Sequence, residues 1–101
     1  MSKVYYLNPK SVLFHPVFDL FNHYNILVYD PEEDILIKVN KVGYAILKFI
    51  DDEKEANIDL IQSEVWKRYP KVINNLDKKA LIDFIQLMQY NNVVFEKETH
   101  L

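Results

Sequence analysis

Apolar positions along this chain follow two periods, and the change from one to the other falls at a single residue. From Asp34 to Val39, Ile35, Ile37 and Val39 alternate with Leu36 and Lys38, the period of two expected of a half-buried strand. From Val42 the spacing becomes three and four: Val42, Ala45, Ile46, Phe49 and Ile50 share one face of a helix. Asn40 stands between them, a short polar side chain that can accept a bond from the free backbone N–H groups of a first helical turn. Gly43, the only glycine, lies inside that helix. A mid-helix glycine costs about 1 kcal/mol relative to alanine, so its presence predicts close packing against another backbone.

The same reading places the other elements. Tyr24–Tyr29 (YNILVY) has the composition of a strand, and Asp30-Pro31-Glu32-Glu33 is a turn, so residues 24–39 read as a β-hairpin. The first helix covers residues 41–50, and the acidic stretch 51–55 is a loop. A second helix is predicted over 58–69, capped by Asn57, buried through Ile58, Ile61, Val65 and Trp66, and stopped by Pro70. A third covers 78–91, capped by Asp77. Its Leu81, Phe84, Ile85 and Met88 fall at i, i+3, i+4 and i+7, and Asn91-Asn92 supplies a left-handed end. Residues 93–95 form a last short strand. Before the hairpin, residues 3–7 and 12–14 are short strands interrupted by Pro9 and Pro16, and Val17, Phe18, Leu20 and Phe21 form a helical turn or an irregular apolar strap.

The pattern describes an α+β fold: a small winged-helix-turn-helix domain, with N-terminal antiparallel strands, three helices and a short C-terminal strand. Residues 1–23 are a strand and strap segment of the same domain, 24–95 its body, and 96–101 a flexible tail. The expected core is Ile37, Val39, Ile46, Phe49, Ile61, Val65, Trp66, Leu81, Phe84, Ile85 and Met88. The third helix is apolar beyond one docking face. Ala80 and Leu87 lie on one flank of its stripe, Ile82 on the other, and Tyr90 points about half a turn away. A wide core stripe with one exposed tyrosine accounts for this; so does a groove that receives something apolar.

Composition narrows the function classes. At 101 residues, half of them apolar, the chain can build one core. It has no cysteine, so disulfides and thiol chemistry are excluded. No apolar run reaches membrane-spanning length and no secretory signal opens the chain, which predicts a cytoplasmic protein without a membrane partner. The net charge is −3 and the basic residues are scattered, with Lys67-Arg68 and Lys78-Lys79 as pairs rather than runs. That balance argues against nucleic acid, whose binders concentrate cations on one face.

Parts of the common catalytic machineries are missing. One glycine cannot make a Gly-rich phosphate loop. Ser2, Ser11 and Ser63 have no base nearby in sequence, and His15, His23 and His100 share no metal-ligand spacing. Asp30, Glu32, Glu33 and Asp34 lack the glycine and distal glutamate of a calcium loop, so they read as a solvated turn. No metal or cofactor is expected, and no enzyme.

Three spaced blocks carry a resemblance. Val39-Asn40-x-x-Gly43-x-x-Ile46-Leu47-x-x-Ile50, Ile58-x-x-Ile61-x-x-x-Val65-x-x-x-Tyr69, and Phe84-Ile85-x-x-Met88-x-x-x-Asn92-Val93-Val94 together resemble the PqqD-like family, the RiPP recognition elements of ribosomal-peptide maturation. The resemblance covers residues 24–95. Val39 stands where the family's leucine precedes the asparagine, and Asn92 replaces a glycine, a mild change because asparagine tolerates the left-handed conformation. The resemblance implies a non-catalytic peptide chaperone that binds the leader segment of a precursor peptide as an added strand. It would present the leader to a modifying enzyme such as a radical-SAM enzyme or a leader peptidase. It also implies that Asp34–Val39 receives the strand and that the third helix lines the groove. The peptide-binding residues are then Leu36, Ile37, Lys38, Lys79, Ala80, Asp83 and Leu87; the other flank, Lys78 and Ile82, is the alternative. A winged-helix nucleic-acid-binding regulator, with Lys78 and Lys79 on phosphates, is the competing function.

Overall fold

A computed structural model describes residues 2–13, 24–29, 34–73 and 75–99. The predicted turn at 30–33, the strap at 17–21 and all three histidines lie outside the described residues. Element order is β1 (Ser2–Leu7), β2 (Ser11–Leu13), β3 (Tyr24–Tyr29), β4 (Asp34–Val39), α1 (Lys41–Glu53), α2 (Ile58–Arg68), α3 (Lys78–Tyr90) and β5 (Val94–Thr99). The described fold is small and α+β, with antiparallel strands on either side of three helices in sequence.

The strands form two sheets. β3 and β4 pair antiparallel in the hairpin register, from Tyr24 opposite Val39 to Tyr29 opposite Asp34, and β2 pairs with the other side of β3. The order β2-β3-β4 leaves β4 at an edge. In the second sheet β1 pairs antiparallel with β5, Ser2 opposite Thr99 through Leu7 opposite Val94. The far side of β1 is held at one point, where Tyr5 and Ala56 exchange backbone bonds of 2.8 and 3.0 Å.

The Asn40 junction forms as its sequence dictates. Asn40 is extended (φ −78°, ψ 178°), and its side-chain oxygen accepts from the Gly43 N–H at 2.8 Å. Asn57 and Asp77 cap α2 and α3 in the same way, accepting from Leu60 and Ala80 N–H groups at 2.7 and 3.1 Å. Asn92 takes the left-handed conformation (φ 61°) and turns the chain from α3 into β5. Helix α1 is the hub. Its Ala45, Ile46, Leu47, Phe49 and Ile50 are all buried, because α2, β1 and β4 each contact it. Ile61 and Val65 of α2, Leu81, Ile85 and Met88 of α3, and Val93 and Val94 complete the core.

Four expectations need correction. Trp66 is not core: it stays 44% exposed, because one residue beyond Val65 turns it about 100° off the buried stripe of α2. Ile37 and Phe84 are half-buried and pack against the core from its margin. The acidic stretch 51–55 is not all loop, since α1 runs on to Glu53. Lys48 lies 3.2 Å from Asp52 one turn on, and Arg68 of α2 bonds Glu53 at 2.6 Å, so these carboxylates carry helix-side partners. Residues 96–99 are not a frayed tail but the outer part of β5, paired with β1 and tied by Lys97 to Glu55 at 2.6 Å.

One polar side chain is buried among the described residues, and it is fully used. Asn8 donates to the Asn92 carbonyl at 2.8 Å and accepts from the Lys10 N–H at 3.0 Å, while its backbone N–H bonds Val93. It fixes the turn from β1 to β2 against the end of α3.

Candidate functional site

Among the described residues strand β4 has one neighbour, β3. Its far edge carries backbone N–H and C=O groups with no strand partner among the described residues. Such an edge is a template for a further strand. Successive residues of a strand face opposite sides, and burial shows the alternation: Ile37 is half-buried, Lys38 exposed and Val39 buried. Leu36 contributes its backbone, opposite Leu27 of β3.

Gly43 explains how α3 comes to this strand. A Cβ on Gly43 would stand 2.8 Å from Phe84 Cε1, 3.0 Å from Phe84 Cζ and 3.2 Å from Val39 Cβ. The ring of Phe84 therefore rests on the α1 backbone beside the end of β4. The lone glycine admits an aromatic side chain, not the second backbone expected from sequence. Phe84 lies at the margin of the α3 core stripe, and Ala80 and Leu87 flank it at i−4 and i+3. Phe84 is the side chain of this flank that reaches Gly43 and the end of β4.

The sequence-derived residues fall on this geometry unevenly. Leu87 is 54% exposed and Ala80 is exposed beside Phe84. Tyr90, one turn further round, is 85% exposed. Leu87 and Tyr90 are both exposed apolar side chains at the end of this helix. Asp83 and Lys79 lie further out and pair with each other at 3.6 Å, so their charges cancel locally. Ile37, Lys38 and Leu36 are on β4 itself. Val39, Gly43 and Phe84, read from sequence as core or as a packing point, turn out to join strand and helix.

The other flank belongs elsewhere. Lys78 and Ile82 line a cleft of about 360 Å³ with Lys3 and Tyr5 of β1 and with Asn57, Ile58 and Asp59 at the start of α2. None of these residues is on β4. Lys78 pairs with Asp59 at 3.3 Å and Lys3 with Glu96 at 3.9 Å. Burial raises the Tyr5 hydroxyl above its ordinary pKa, with Glu96 adding to the effect and Lys3 opposing it.

Among the described residues no group of three or more His, Asp or Glu side chains is placed to hold a metal ion. No described helix is long and apolar enough to cross a membrane. No family model, curated protein or solved structure matches the chain.

Proposed function

We propose that this domain is a non-catalytic peptide-recognition module. It takes the leader segment of a ribosomally made precursor peptide as a strand on the free edge of β4 and presents it to a maturation enzyme, a radical-SAM enzyme or a leader peptidase. The observation that carries the reading is an open strand edge beside a helix with exposed apolar side chains: among the described residues β4 pairs with β3 alone, and Phe84, seated against Gly43 and Val39, shares its helix flank with exposed Ala80 and Leu87. Strand addition draws affinity from backbone bonds and specificity from side-chain contacts; β4 offers the first through its open edge, and exposed Leu87 offers an apolar contact for the second. The winged-helix arrangement and the PqqD-like resemblance of residues 24–95 point the same way.

The competing reading, a nucleic-acid-binding winged helix, needs Lys78 and Lys79 on phosphates. Both already hold carboxylates, Asp59 at 3.3 Å and Asp83 at 3.6 Å, on a chain of net charge −3. Phosphate contacts would have to displace these pairs.

The test is a titration of isotope-labelled domain with the peptides encoded by short reading frames beside its gene, following backbone amide shifts. The proposal expects shifts along residues 34–39 and along α3. Affinity should change little between about 0.05 and 0.2 M salt, a range over which a protein making 6–10 phosphate contacts loses about 10³–10⁵ in affinity. Leu87→Ala should weaken binding about fivefold. Full burial of a leucine is worth about 1.5–3 kcal/mol, and roughly half of Leu87 is already covered. Shifts confined to another surface, such as the Lys3–Lys78 cleft, would refute the site.

A further inference from the structure

We draw no further inference here: the strongest candidate, the cleft of about 360 Å³ that Lys3 and Tyr5 of β1 form with Lys78 and Ile82 of α3 and the start of α2, rests on two helix N-termini and on cations already paired with carboxylates, Lys3 with Glu96 and Lys78 with Asp59, and nothing in the structure shows what fills it.

Discussion

Gly43→Ala tests the contact on which the site is built. Two terms oppose each other. Alanine gains about 1 kcal/mol of helix propensity over glycine in a helix interior, part of it through the unfolded chain. The new methyl would, however, stand 2.8 Å from Phe84 Cε1 and 3.2 Å from Val39 Cβ, where carbon atoms at rest keep about 3.5–4.0 Å. The Phe84 ring would have to withdraw by about 0.7 Å, from 2.8 to 3.5 Å. Val39 Cβ, fixed to the strand backbone, has less freedom to move. Overpacking of this kind costs about 1–3 kcal/mol, so the balance is a net loss of up to about 2 kcal/mol. A loss of 1 kcal/mol would lower Tm by about 4–8 °C in a domain of this size. The assay is urea unfolding of the wild type, Gly43→Ala, Phe84→Leu and the double variant. In the Phe84→Leu background the clash is relieved and the propensity gain should show, so the two substitutions should couple by about 1–2 kcal/mol. If Gly43→Ala stabilises the wild type by the full propensity gain and the cycle shows no coupling, the Phe84 ring is not what excludes a side chain at this position. The placement of α3 beside β4 then loses its main support.

Other expectations follow from burial and charge. Phe49→Ala should cost about 3–5 kcal/mol because the ring is fully buried under α2 and Arg68, whereas Trp66→Ala should cost less than about 1 kcal/mol; equal losses in chemical unfolding would contradict the packing of α2. Tyr5 and Tyr69 both have hydroxyl pKa values raised above 10.0, chiefly by burial, with Glu96 and Asp52 adding respectively. Above about pH 10 the unfolded chain binds fewer protons than the folded one, so stability should fall as pH rises through the folded values, and Tyr5→Phe/Tyr69→Phe should flatten that decline in unfolding curves measured across the alkaline range. Amides of residues 94–99 should exchange slowly with solvent as a paired strand does, and free exchange beyond Phe95 would restore the frayed-tail reading.

The elements that local chemistry fixes were readable in the sequence. Asn40, Asn57 and Asp77 each cap the helix that follows, and Asn92 turns left-handed where a helix end was expected. These are contacts within a few residues, so spacing alone specifies them. The errors lie where a distant partner decides. Residues 96–99 look polar and frayed until β1, more than ninety residues earlier, supplies their ladder. Asp51, Asp52 and Glu53 look like a solvated loop until Lys48 and Arg68 answer their charges. Trp66 reads with Ile58, Ile61 and Val65 as the buried side of α2, but 100° of helix rotation past Val65 outweighs hydrophobicity when the stripe is already filled by Ile61 and Val65.

The candidate site was legible in halves for a related reason. Surplus apolar surface on α3 is a property of side chains, and Leu87 and Tyr90 announced it through their positions around the helix. An open strand edge is a property of topology: β3 and β4 have similar compositions, and nothing in either says that β2 takes the far side of β3 and leaves β4 with no second partner among the described residues. What ties the two halves together is Gly43. Its cost in helix propensity makes sense only if something occupies the space its side chain would fill, and Phe84 does so at 2.8 Å. Without that notch the ring of Phe84 would stand further from α1. The proposed added strand would tolerate little such change, because ladder bonds hold neighbouring strands about 4.7–4.9 Å apart. In the proposed function the glycine thus governs how closely the helix seats beside the receiving edge, and the sequence position that looked like a helix defect is where fold and proposed function meet.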